Sequence, residues 1–101
     1  MISHFNDQKW SSLSFYEQMG NISSEVGRTM KAIKSNDEQA MEGAYFRGLD
    51  LIDATIKNLS GKGRRRELLR AREQFSEAVE TKAVDQKLEN YFMTFALFAR
   101  A

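Results

Sequence analysis

The chain contains no cysteine and no proline. Without cysteine there is no disulfide framework, no thiolate metal site and no thiol redox chemistry. Without proline the residue that most often breaks a helix is missing, because proline removes an amide donor and clashes with the preceding turn. Histidine occurs once, as His4. That removes His-based triads and most zinc sites, and no Glu-x-x-His pair exists to build a di-metal centre in a bundle core. Long apolar runs are missing as well. No stretch approaches the roughly 20 residues that span a bilayer, and residues 1–10 hold no basic region followed by an apolar run. No membrane association and no signal peptide are therefore expected, and a cytoplasmic location is. Charge of one sign is also lacking. Fifteen basic residues against fourteen acidic ones leave the chain near neutral, whereas a generic polyanion binder is usually lopsided. Gly61-Lys62-Gly63 is only a fragment of a phosphate loop, with no strand before it. No metal and no cofactor are expected.

What is present is apolar periodicity. Phe15, Met19, Ile22, Val26 and Met30 recur at steps of four and three, and Val84, Leu88, Tyr91, Phe92, Phe95, Phe98 and Ala99 repeat the pattern. Each set falls on one face of a helix and needs another helix to bury it. At 101 residues the chain suffices for one domain with one core. The spacing predicts an all-α fold, a four-helix up-down bundle over 14–101 with a short N-terminal arm over 1–13. The arm carries Ile2, Phe5, Trp10 and Leu13 at irregular spacing, with Trp10 as its anchor. The first helix starts at Ser14, which with Glu17 matches a capping box, and runs to about Ile33. The second starts at a Ser35–Glu38 pair of the same spacing and ends near Leu59, where Ser60-Gly61-Lys62-Gly63 supplies a left-handed glycine. A third covers 63–80, with Leu68, Ala71, Phe75 and Val79 inward. A fourth covers 83–100, with Arg100 complementing its dipole. Gly20 and Gly27 share a flank of the first helix with Tyr16, Ser23 and Ala32. Either a neighbouring helix approaches closely there or glycine is simply tolerated.

Two polar features stand out. Lys62, Arg64, Arg65, Arg66, Arg70 and Arg72 place six cations within eleven residues, opposed only by Glu67. Cations at a helix start oppose its dipole and invite a compensating anion. Lys62, Arg64, Arg66 and Arg70, around the free amides of that start, are candidates for holding a phosphate or an RNA backbone. The competing reading is a solvated basic face paired with carboxylates of other helices or another subunit. No aromatic residue interleaves with these arginines along the chain, which argues against single-stranded nucleic acid. On a helical projection Arg65 and Arg72 border the apolar stripe, while Arg66 and Arg70 point away. Arg65 and Arg72 are thus expected to be partly buried and paired with Glu17, Asn21, Glu25, Asp50 or Asp53. Together with Arg28 these residues form a candidate polar cluster between helices, either an interior ion pair or a polar pocket. A reaction there requires Glu17, Glu25 and Arg72 to converge. Phe46, Met93 and Leu97 miss the stripes and are candidates for a subunit interface, so a homodimer is expected.

The segment Leu13-Ser14-Phe15-Tyr16-Glu17-Gln18-Met19-Gly20-Asn21-Ile22-Ser23-Ser24-Glu25-Val26-Gly27-Arg28 resembles the start of a family of small uncharacterised bacterial and archaeal proteins. The resemblance continues through Phe46-Arg47, Leu49, Leu51-Ile52-Asp53, Thr55-Ile56, Arg70 and Arg72-Glu73. It closes at Tyr91-Phe92, Phe95, Phe98 and Ala99-Arg100, and so spans nearly the whole chain. It implies a class without a mechanism. In outline the chain is also similar to the HEPN superfamily of helical domains, many of which act on RNA or partner nucleotidyltransferases in toxin–antitoxin pairs. The nuclease motif of that superfamily is an arginine followed a few residues later by a histidine. No histidine follows position 4 here, so the resemblance implies only a non-catalytic version. The function expected is that of a non-enzymatic helical interaction protein binding a protein partner. The alternative is RNA or phosphate-ligand binding through the basic turn at 62–72.

Overall fold

A computed structural model describes residues 7–99. Within them five helices follow one another, and no strand occurs among the described residues: α1 (Asp7–Ser11), α2 (Phe15–Lys34), α3 (Glu38–Asn58), α4 (Lys62–Thr81) and α5 (Gln86–Ala99). Ile2, His4, Phe5 and Arg100 lie outside the described residues. The fold is all-α, with one helix more than the four expected, because part of the arm is itself helical. Trp10 of α1 is buried. Its indole Nε1 donates to Thr55 Oγ1 at 3.2 Å, and Gln18 Nε2 donates to the Trp10 carbonyl at 2.9 Å.

Local chemistry sets the helix ends, in places differently from expectation. Ser14 caps α2 as predicted. Its Oγ accepts from the Glu17 amide at 3.1 Å, and Glu17 Oε1 accepts from the Ser14 amide at 2.8 Å. The second capping box does not form. Ser35 ends α2 instead, with its hydroxyl donating back to the Lys31 carbonyl, and Asp37 caps α3 by accepting from the Ala40 amide at 3.1 Å. Two long helices need a reversal between them, and Asn36 provides it in the left-handed region at φ 56°. Asparagine tolerates that region better than most residues. The glycine stop after α3 is likewise corrected. No described glycine has positive φ. Leu59 ends α3 in an extended conformation, and Gly61, at φ −95°, caps the start of α4. The other left-handed residue is Lys82 (φ 53°), which ends α4 and whose ammonium pairs with Glu38 of α3. Asp85 Oδ1 then accepts from the Leu88 amide at 3.0 Å, so α5 begins after residue 85 instead of at 83.

The core is built from Met19, Ile22, Val26 and Met30 of α2, Ile52 of α3, Leu68 and Phe75 of α4, and Leu88 and Phe92 of α5. Helix α2 is central and packs most extensively on α3 and α5. Ion pairs and hydrogen bonds set α4 antiparallel to α3, through Arg72–Asp53, Tyr45–Ser76 and Lys82–Glu38. In the same way α5 runs antiparallel to α2, since Ala96 lies by Gly20 and Asp85 by Met30. A Cβ on Gly20 would meet Ala96 at ordinary contact distance (3.7 Å), and one on Gly27 would meet nothing within 4 Å. Gly27 is therefore tolerated. The helix approach that demands glycine is instead at Gly48 against Phe75. Among the described residues no helix is long and apolar enough to cross a membrane.

Candidate interaction surface

The basic turn does not form one patch, because the winding of α4 sends its cations in different directions. Arg64 turns inward over aromatic rings, its guanidinium carbon 4.2 Å from the centroid of Phe15 and 5.8 Å from that of Tyr16. Such stacking is worth about 0.5–1 kcal/mol at exposed sites. Arg65, expected to be half-buried, is exposed, and its Nη2 donates to the Leu59 carbonyl at 2.8 Å. It closes the open end of α3, a role available because that helix ends without a glycine cap. Lys62, Arg66 and Arg70 are exposed and make no ion pair with any described residue.

The polar residues grouped between helices separate into local pairs. Glu17 serves the cap of α2, and Asn21 Nδ2 donates to its carbonyl at 2.9 Å. Hydrogen bonds from Ser14, first through its backbone amide and then its side chain, hold the Glu17 carboxyl below the usual glutamate range. Glu25 is mostly covered and faces two arginines. Arg47 Nε of α3 donates to its Oε2 at 3.1 Å. Arg28 Nη1 stands 3.2 Å from Oε1 but out of line for a hydrogen bond, so that contact is electrostatic only. Arg72 forks onto Asp53, with Nε to Oδ1 at 2.6 Å and Nη2 to Oδ2 at 3.1 Å. That hydrogen bond raises the Arg72 pKa further and keeps it cationic. Asp50 is half-buried and joins none of these pairs. Glu17, Glu25 and Arg72 thus have separate partners and do not converge. Among the described residues no three acidic or histidine side chains gather as a metal site.

The apolar residues that missed the stripes are all exposed: Phe46 at 48%, Met93 at 50% and Leu97 at 62%. They do not share a face. Phe46 follows Tyr45 on the α4 side of α3, whereas Met93 and Leu97 stand one turn apart on α5. Phe98, expected in the core, is 62% exposed. The last turn of α5 runs level with the start of α2, where Tyr16 supports it at 5.8 Å between rings. Val84 and Ala99, also expected inward, are exposed. Beside Met93 an open groove of about 450 Å³ runs between α2 and α5, lined by Leu13, Gly20, Ser23, Gly27, Ala96 and Ala99 among others.

Sequence reasoning missed the ring cluster at this end of the molecule. Phe15 meets Phe95 edge-on at 5.6 Å, Tyr16 stacks on Phe95 at 6.2 Å, and Tyr91 meets Phe95 at 5.2 Å. These rings are far from Arg64 in sequence but beneath or beside it in space. The signal was position: Phe15 and Tyr16 open α2 as Arg64 opens α4. Burial, reinforced by the Glu67 carboxylate that accepts the Tyr91 hydroxyl at 2.7 Å, pushes the Tyr91 pKa well up. No family model matches the chain, and no curated protein or solved structure matches it.

Proposed function

We propose that the chain is a non-enzymatic helical interaction protein, and that the α2–α5 face receives a protein partner. The observation that carries this reading is the exposure of Met93 on a groove floored by small residues, with Leu97 exposed one turn further along α5. Exposed apolar side chains next to a groove fit a partner helix that lays its own apolar stripe there. Arg64, at the same end of the fold, favours a partner with carboxylates near that stripe. In this reading the four long helices form an up-down bundle, the protein works in the cytoplasm, and it pairs with a second copy of itself. The resemblance to small helical bacterial and archaeal proteins accords with such a module.

The test uses a fluorescently labelled peptide with leucine at helical spacing and glutamate on its other face. Anisotropy should report binding, weakened at least about tenfold by Met93→Asp with Leu97→Asp. Binding indifferent to those changes removes the reading.

One observation favours a second reading. Arg64 stacked on Phe15 beside exposed Tyr16 combines a cation with rings on which a base can stack. The basic turn would then bind RNA or a phosphate ligand, and the HEPN-like outline without its histidine would make the chain a non-catalytic member of a toxin–antitoxin pair. Oligouridylate should then bind with an affinity that falls as salt rises and is lost in Arg64→Glu.

A further inference from the structure

The solvent face of α4 carries its charge in two blocks. Lys62, Arg66 and Arg70, and after them Glu73, Glu77 and Glu80, lie opposite the buried Leu68, Ala71 and Phe75. All six are exposed, and none makes an ion pair with a described residue. The blocks oppose the dipole of α4, whose first turn has no acid and whose last turn has no base. Within the helix Arg66 repels Arg70, and Glu73 repels Glu77, each pair four residues apart.

A second α4 laid antiparallel on this face corrects both faults. About a two-fold axis crossing the helix between Ala71 and Arg72, Arg66 falls opposite Glu77 of the second copy and Arg70 opposite Glu73 of the second copy. Lys62 falls beside Glu80 of the second copy. Each pair occurs twice, because a two-fold interface is self-complementary. A parallel arrangement sets like charge on like, so the pattern also selects the orientation. Apolar area is available on the same side. Leu69 is 45% exposed within the stripe, and Phe46 is 48% exposed beside Tyr45, whose hydroxyl donates to Ser76 of α4 at 2.8 Å.

We propose that α4 is the surface on which the chain pairs with a second copy of itself, antiparallel and in the register that matches Arg66 and Arg70 to Glu77 and Glu73. The proposal rests on the reading of the chain as an interaction protein. It leaves the α2–α5 face free, so failure of either surface is seen separately.

The experiment is charge reversal read by sedimentation velocity, with circular dichroism confirming that each variant is folded. The full chain should be a dimer at tens to hundreds of micromolar and should weaken between about 50 mM and about 500 mM salt. Arg66→Glu with Arg70→Glu makes the face wholly acidic apart from Lys62. Glu73→Arg with Glu77→Arg makes it basic apart from Glu80. Each variant alone should dissociate, its dimer Kd raised at least about 100-fold. Mixing the two should restore a dimer, since every reversed pair then meets its complement. A monomeric wild-type chain overturns the proposal. So does a dimer that survives both reversals, or a mixture of the two variants that stays monomeric.

Discussion

Gly48 of α3 lies against the ring of Phe75 on α4 with no room for a methyl group. A Cβ there would stand 2.9 Å from Cε2 and 3.2 Å from Cζ of a ring that is itself fully buried. Gly48→Ala therefore forces the ring or the helix to move, and overpacking of this kind costs about 1–3 kcal/mol. Gly27→Ala is the contrast. Its φ is not positive and its Cβ meets nothing within 4 Å. Alanine there gains roughly 1 kcal/mol of helix propensity. Thermal melts should move in opposite directions for the two variants, and Phe75→Leu should reduce the penalty of Gly48→Ala.

The Ser14–Glu17 box makes α2 sensitive to acid. The Glu17 carboxyl titrates below its ordinary value of 4.5 in the folded chain. The stability it contributes is therefore present above that value and is lost as pH falls through the lower, folded pKa. Glu17→Gln removes the ionisable carboxyl from this arrangement and should lower the melting temperature by a few degrees near neutral pH. The difference from wild type should shrink in acid, and an unchanged gap across that range contradicts the assignment.

The two boxes show how far local signals reach. Ser14–Glu17 and Ser35–Glu38 are indistinguishable by spacing, yet only the first forms. Which of Ser35 and Asp37 caps α3 depends on where the chain must turn, and that is fixed by the packing of α3 on α2. Helix interiors were legible because buried Met19, Ile22, Val26 and Met30 repeat with the period of the helix itself. The basic turn was legible as a run of residues but not as a surface. Three adjacent arginines separate by roughly 100° each around a helix. Arg64 thus reaches rings of α2, Arg65 the Leu59 carbonyl just past α3, and Arg66 solvent. Phe98 was misassigned because periodicity marks a face without saying how far the neighbouring helix extends along it.

Tyr91 should respond to alkali in the opposite sense to Glu17. Burial, then its bond to the Glu67 carboxylate, raises its folded pKa above the ordinary value of 10.0. Its contribution to stability is complete below pH 10.0 and is lost as pH rises toward the folded pKa, because the unfolded chain ionises first. Absorbance of phenolate in the folded protein should show one late step. Glu67→Gln should move that step to lower pH, and Tyr91→Phe should abolish it.

Trp10 is a buried anchor of α1. Trp10 Nε1 donates to Thr55 Oγ1, and Thr55 Oγ1 in turn donates to the Leu51 carbonyl at 2.8 Å. Thr55→Val keeps the volume but takes the acceptor from a buried indole N–H, which costs about 1–3 kcal/mol. Trp10→Phe removes the donor and part of the ring, and it leaves Thr55 bonded to Leu51, so its penalty comes from lost packing. The two residues share one hydrogen bond, so the double variant should cost less than the sum of the singles. Urea titrations of the four chains measure the coupling. Additive penalties would mean that the 3.2 Å contact contributes nothing to holding α1.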